Sequence, residues 1–215
     1  MKCRHCGSDV SHVLVDLGTA PPSNAYLTKM ALKRPEKYFP LRVLVCESCW
    51  LVQAEAYSRA AELFNEEYAY FSSFSTEWLN HSKRYVEDMT VRIELGSSST
   101  VVEVAANDGY LLQYVKEKSI GCYGIEPTAS TANAARQKGI EIVQDFLSTS
   151  LAQQLRNQGK TADLVVANNV LAHVPDINDF SNACRLLMKP NGVLTCEFPH
   201  LMNFFPKYYR KHKLN

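Results

Sequence analysis

Apolar and polar positions along this chain follow two different rhythms. Short apolar runs at 13–18, 41–45, 101–104, 140–143, 163–167 and 193–198 are bounded by polar or turn-forming residues, and each predicts a strand. Gly124-Ile125 ends another. Between the later runs, apolar residues recur at helical spacing. Trp78, Tyr85, Val86 and Met89 predict a helix from about 75 to 95 with a core face, and further helices are expected over 128–138, 151–157 and 180–188. The last of these should stop at Lys189-Pro190-Asn191-Gly192, before the fifth strand begins at Val193. From residue 101 onward strand and helix alternate, the pattern of a doubly wound, mainly parallel α/β sheet. Before residue 74 there are short strands and prolines (Pro21, Pro22, Pro35) but no long helical period. The chain therefore divides into a small module over 1–73, a linking helix over 74–95, and an α/β domain over 96–215.

The turn after the first α/β strand carries candidate chemistry. Val101-Val102-Glu103-Val104 leads into Ala105-Ala106-Asn107-Asp108-Gly109, and the next strand ends in Glu126-Pro127. Backbone N–H groups at such a turn can hold a polar ligand, and Glu126 stands where a ribose diol would be bound. A dinucleotide site wants three glycines here, whereas this turn has only Gly109. Glu103 and Asp108 suit S-adenosylmethionine better, because that ligand carries an ammonium and a sulfonium but no pyrophosphate. Asp145 and Asn168 also fall at carboxyl ends of strands, where a parallel sheet binds its ligand. Asp145-Phe146 offers an acceptor and a ring face to an adenine, or simply caps a helix. His173 follows Asn169 by four residues, so the two are expected to share a helical face beside the crevice; a lone histidine otherwise serves packing.

Composition narrows the class. The 215 residues are 46% hydrophobic with a formal net charge of +1, which gives no electrostatic reason for nucleic-acid or anionic-membrane binding. No apolar run is long enough to span a bilayer, and Met1-Lys2-Cys3-Arg4-His5-Cys6 is not an export signal, so a cytoplasmic location is expected. Seven cysteines in such a chain point to thiols or metal rather than disulfides. Four form paired knuckles, Cys3-x-x-Cys6 and Cys46-x-x-Cys49, which can give one Zn²⁺ a tetrahedral set of thiolates; four unligated cysteines or a redox dithiol are the alternatives. Four sulfur ligands leave no open position for water, so the zinc would be structural. Cys122, Cys184 and Cys196 sit in apolar stretches and read as inert buried thiols. Tyr68-Ala69-Tyr70-Phe71-Ser72-Ser73, between the two modules, reads as packing at a domain junction.

Several motifs in order resemble the sugar C-methyltransferases of deoxysugar biosynthesis, class I enzymes of Rossmann-like fold with an N-terminal zinc-binding domain. They are the two cysteine knuckles, Asp16-Leu17-Gly18-Thr19-Ala20-Pro21-Pro22-Ser23-Asn24-Ala25-Tyr26-Leu27, the Tyr68–Ser73 cluster, the Glu103–Leu112 turn, Gly124-Ile125-Glu126-Pro127, and Asn168-Asn169-Val170-Leu171-Ala172-His173-Val174-Pro175-Asp176. The resemblance implies S-adenosylmethionine as cofactor and a nucleotide-linked 4-keto-deoxysugar methylated at C3. It also implies a sugar pocket lined by Tyr68, Asn169 and His173, with Tyr70 a further candidate. Family members add a Glu-His-x-x-Tyr segment soon after the Glu-Phe-Pro-His stretch, and then a second Rossmann-like domain. Here Glu197-Phe198-Pro199-His200-Leu201 is present, but 203–215 departs from that pattern. Little turnover is therefore expected of this chain alone. Its fifth strand should form an apolar edge that invites self-association. An NAD-dependent oxidoreductase and an inactive zinc-stabilised assembly module remain as other readings.

Overall fold

The two rhythms fold into two sheets. A computed structural model describes residues 1–23, 26–57 and 70–201. In the N-terminal part, β1 (His12–Ala20), β2 (Phe39–Val45) and β3 (Val52–Ala54) pair antiparallel in that order. The buried core beneath them is small, consisting of Cys3, Val10, Leu44 and Cys46.

The second sheet is parallel throughout. It contains β4 (Thr100–Val104), β5 (Gly121–Ile125), β6 (Glu141–Val143), β7 (Ala162–Asn168) and β8 (Met188–Glu197), in the order β6-β5-β4-β7-β8. The connections change side between β4 and β7, which is where a doubly wound sheet opens a crevice at its carboxyl ends. Successive strand residues point to opposite faces. Val101 thus joins Leu112, Leu164 and Val166 on one side, while Val102 joins Val104, Ile125 and Val165 on the other.

Helices cover both faces. They are α1 (Thr76–Arg92), α2 (Leu112–Glu117), α3 (Ala129–Gln137), α4 (Thr149–Asn157) and α5 (Ile177–Leu187). Three start on side-chain caps, each satisfying backbone N–H groups that a helix start leaves unpaired. Ser75 accepts from Trp78 N, Ser148 from Leu151 N, and Asp176 from Asn178 N and Asp179 N. Val86 and Met89 of α1 are buried in the same cluster as Leu111 and Leu112, so this helix packs into the α/β core. No helix among the described residues is long and apolar enough to cross a membrane.

One boundary differs from expectation. Pro190 and Gly192 predict a break before Val193, yet β8 already begins at Met188. Ala162 pairs with Met188 and Leu164 with Val193, so residues 189–192 are absorbed as a register shift within the strand. Gly192 makes this possible, since a Cβ there would lie 2.8 Å from the Ala162 carbonyl oxygen.

Candidate active site and cysteine centre

Beyond β4, Ala105 (φ 54°), Asn107 (φ 49°) and Gly109 (φ 75°) alternate in the left-handed region. For a residue with a side chain this conformation costs about 1–3 kcal/mol and persists only where its surroundings enforce it. Here Ala106 N donates to Ile125 O at 3.2 Å, and Gly109 N to Ala106 O at 2.9 Å. The turn can press against β5 because position 124 is glycine; a Cβ there would stand 2.5 Å from that of Ala106. This approach brings Asn107 N to Glu126 Oε2 at 2.9 Å, and Thr128 N reaches Oε1 at 2.9 Å. Glu126, only 4% exposed, is thereby fixed at the end of β5 with one backbone donor on each oxygen.

A cavity of about 610 Å³ opens over these strand ends. Ala105, Asn107, Glu126, Pro127, Asp145, Phe146 and Asn168 line it, as do Tyr70, Asn169 and His173. Its size is within the range of small-molecule sites. Asn169 takes φ 55° and its N–H donates to Glu197 O at 2.7 Å, turning its side chain out of the sheet. Asn169 and His173 do not share a helical face, because 171–173 form a turn in which His173 N donates to Val170 O; the turn nevertheless brings both to the cavity. Tyr68 lies outside the described residues.

Three candidates from the sequence stand apart from the cavity lining. Glu103 is fully buried in β4, and neither carboxyl oxygen has a hydrogen-bond partner among the described residues. Burial drives its carboxyl well above the usual range, despite the neighbouring Tyr110 phenol, and the negative fields of Glu126 and Asp108 act in the same direction. Burial therefore favours the protonated form of Glu103 inside the domain. Asp108 is 3% exposed and faces Ser73 and Lys138 instead. Gly109 serves the turn: a Cβ there would meet Ile140 Cδ1.

Sequence reasoning also missed several wall residues. Trp78, Tyr110, Ser72, Asp176, Asp179 and Ser23 all line the cavity. The helical spacing that marks Trp78 as core could not show its second contact, a tilted ring pairing with Tyr110 at 5.8 Å between centroids. Asp176 and Asp179 are legible from sequence only as a helix start.

The four N-terminal cysteines converge as their spacing predicts. All four sulfurs lie within 4.8 Å of one another, with Cys3–Cys49 and Cys6–Cys46 both at 3.6 Å. Tetrahedral Zn–S bonds of about 2.3 Å place sulfurs roughly 3.8 Å apart, so this arrangement fits the metal. Burial alone would raise the Cys3 thiol pKa, but donation from the backbones of Cys6 and His5 and the Gln53 amide brings it down to about 6. Cys6 is likewise lowered, chiefly by Ser8. Thiolates are the metal-binding form. Cys49 goes the other way, up to about 12: donation at the Leu51 backbone lowers it, but burial and the three neighbouring sulfurs outweigh that. Burial likewise pushes Cys184 up to about 12 and Cys122 up to about 11, as inert thiols.

The cysteine centre touches the α/β domain through one knuckle. His5 Nδ1 lies 2.8 Å from Asn178 Oδ1, and Asn178 Nδ2 donates to His5 O at 2.7 Å. Asn178 is in the first turn of α5, between the cavity residues Asp176 and Asp179.

Comparison with known proteins agrees with this geometry. Residues 3–64 match the family model of a zinc binding domain, and residues 102–194 that of a methyltransferase domain. C-methyltransferase NovU of Streptomyces niveus is 27% identical over 216 residues, covering 98% of this chain and 51% of that protein. Ubiquinone biosynthesis O-methyltransferase of Actinobacillus pleuropneumoniae serotype 7 is 27% identical over 100 residues, covering 44% of this chain and 43% of that one. The chain thus spans about half the length of the curated relative it matches end to end. Among solved structures, a SAM-dependent methyltransferase from Anabaena variabilis superposes with a TM-score of 0.49 at 17% identity, covering 61% of this chain and 58% of that one. The zinc-binding match thus falls on the cysteine module and the methyltransferase match on the parallel α/β sheet, and the likeness to C-methyltransferase NovU extends over nearly the whole chain.

Proposed function

We propose that this protein is an S-adenosylmethionine-dependent C-methyltransferase, or the cofactor-binding half of one. Its substrate is a nucleotide-linked 4-keto-deoxysugar, methylated at C3. The observation that carries this reading is one cavity lined both by the Glu126 carboxylate on its backbone cradle and by Tyr70, Asn169 and His173. The residues fit the cofactor. Glu126 can accept from both ribose hydroxyls, Asp145 from the adenine amine, and Phe146, 41% exposed, offers a ring face. When bound, the cofactor supplies an electrophilic methyl on a positively charged sulfur.

Toward the substrate, Asn169, His173 and the Tyr70 phenol orient the keto-sugar and donate hydrogen bonds to its carbonyl oxygen. Such donation stabilises the enolate that forms when the neighbouring carbon loses its proton. Tyr68 joins this group by resemblance, and the resemblance assigns the proton-abstracting base to a Glu-His-x-x-Tyr segment. The NovU likeness supports carbon as the methyl acceptor. Zinc has no part in the chemistry, since four thiolates complete its tetrahedron.

Calorimetry with S-adenosylhomocysteine and with NAD, on the wild type and Glu126→Ala, tests the reading. Binding of the former alone, weakened by the substitution, is expected. A folded wild type that binds NAD or neither ligand overturns it. Turnover is a separate question, answered by incubating the chain with a keto-deoxysugar nucleotide and the cofactor.

A further inference from the structure

The side chains of Asn107 and Asp108 face a segment that neither ligand reading assigns to them. Asn107 Oδ1 accepts from Ser72 N at 2.9 Å, and Asn107 Nδ2 donates to Tyr70 O at 3.0 Å. Asp108 Oδ1 accepts from Ser73 N at 3.3 Å. Lys138, at the end of α3, closes the group by donating to Ser73 Oγ at 2.7 Å and Asp108 Oδ2 at 3.4 Å. Asn107, Asp108 and Ser72 are all at least nine-tenths buried. Meanwhile the backbone N–H of Asn107 holds Glu126. One residue thus fastens the cofactor acid by its main chain and the Tyr70 segment by its side chain.

The choice of residue is informative. Glycine would take φ 49° at position 107 without strain, but it offers no side chain. Aspartate could accept from Ser72 N but could not donate to Tyr70 O. Asparagine tolerates the left-handed conformation and supplies both an acceptor and a donor. Asp108 adds a buried charge whose partner, Lys138, comes from a different element. Tyr70 and Ser72 are cavity walls, and the segment continues into α1, which carries Trp78 to the same cavity.

We propose that Asn107, Asp108 and Lys138 form a clasp that positions the wall over 70–73, so that the cofactor cradle and the substrate wall become ordered together. Asp108 is then a positioning residue for the substrate side rather than a cofactor ligand. The assignment of the two sides rests on the methyltransferase reading; the clasp itself does not.

Amide hydrogen exchange of the full zinc-loaded chain tests it, with S-adenosylhomocysteine as the probe. In Asp108→Ala, exchange over 70–74 should quicken by about tenfold or more, while affinity for the probe stays within about threefold. Glu126→Ala should do the reverse, losing affinity with 70–74 still protected. In the wild type, saturating probe should slow exchange over 70–74, and this slowing should disappear in Asp108→Ala. Lys138→Met, a change at a partly exposed side chain, provides a second variant should Asp108→Ala fail to fold; it should quicken the same exchange to a smaller degree. Unchanged exchange in the folded variants, or loss of probe affinity in Asp108→Ala equal to that in Glu126→Ala, overturns the clasp. A wild type that does not bind the probe overturns the methyltransferase reading, while the exchange rates of the ligand-free variants still decide whether the clasp exists.

Discussion

The N-terminal sheet and the parallel sheet bury their residues by different means. Among the described residues the first has four buried core side chains, two of them cysteine ligands, and its β1 has no buried residue in nine. The second has two clusters of sixteen and thirteen buried residues on opposite faces of one sheet. A core of four cannot offset the chain entropy of ordering three strands. The sulfurs must therefore do in the first region what hydrophobic burial does in the second. Small domains that lack a sufficient core depend on metals or disulfides for this reason. It follows that the two regions should respond to different insults, and that each can be damaged with little effect on the other's own fold.

Removing the metal should give the largest effect. Structural zinc contributes about 10–16 kcal/mol of apparent folding free energy in small metal-dependent modules. A chelator, or Cys46→Ser, should abolish the β1–β3 sheet and leave the parallel sheet cooperative in thermal unfolding. Elemental analysis should find one zinc per wild-type chain. Preserved amide protection across β1–β3 in the metal-free protein would show that the small core suffices and would collapse the comparison.

The converse damage is a cavity in the α/β core. Leu112 is fully buried in the cluster that joins α1, α2 and the sheet. Leu112→Ala should cost about 2–5 kcal/mol in the unfolding of the α/β domain, with zinc content unchanged. Zinc loss in step with that destabilisation would mean that the His5–Asn178 contact binds the regions into one cooperative unit.

Glu126→Ala leaves the Asn107 and Thr128 N–H groups without their acceptor, so some loss of α/β-domain stability is expected, but its distinguishing effect should be on ligand affinity. Removing a charged acceptor from the proposed ribose site should cost about 1.5–3 kcal/mol of binding, roughly ten- to a hundredfold in affinity for S-adenosylhomocysteine. Equal affinities by calorimetry would remove Glu126 from the site.

The regions also differed in how far they could be read from sequence. In the parallel domain the alternation of runs placed every strand, because β4 and β7 are buried on both faces and appear as continuous apolar stretches. In the cysteine module the spacing of the ligands was enough to locate the centre, because metal coordination leaves a fixed sulfur count whatever the loop between does. The turn at 105–109 was only half legible. Its missing glycines suggested a departure from the nucleotide pattern, but the backbone still adopts three left-handed residues, two of them not glycine. Which way Asp108 faces depends on Ser73 and Lys138, at separations of 35 and 30 residues, and no local pattern encodes such a contact. Trp78 shows a related gap: a helix face marks a residue as turned inward without saying whether a core or a cavity awaits it.

The finest distinction concerns buried polar atoms. In the cysteine module the buried Gln53 amide is satisfied at both ends, donating to Cys3 Sγ and accepting from Arg4 N, whereas in the parallel sheet burial favours the neutral form of Glu103, whose carboxyl oxygens have no hydrogen-bond partner among the described residues. A carboxyl whose pKa is raised on folding binds its proton more tightly in the folded state. Its contribution is therefore most favourable below the unfolded value near 4.3, and stability falls as pH rises from there toward the folded pKa. Glu103→Gln keeps nearly the shape of the neutral acid, with one donor more, but cannot ionise. The variant should match the wild type in acid and become progressively more stable than it through neutral pH. The gain should lie toward the low end of the ~0.5–3 kcal/mol span of ordinary point substitutions. Denaturant unfolding of both proteins from pH 5 to 9 measures it. A variant less stable than the wild type at pH 8 would mean that Glu103 is ionised in the folded domain and paired there, and the polar atoms of the two regions would no longer differ in kind.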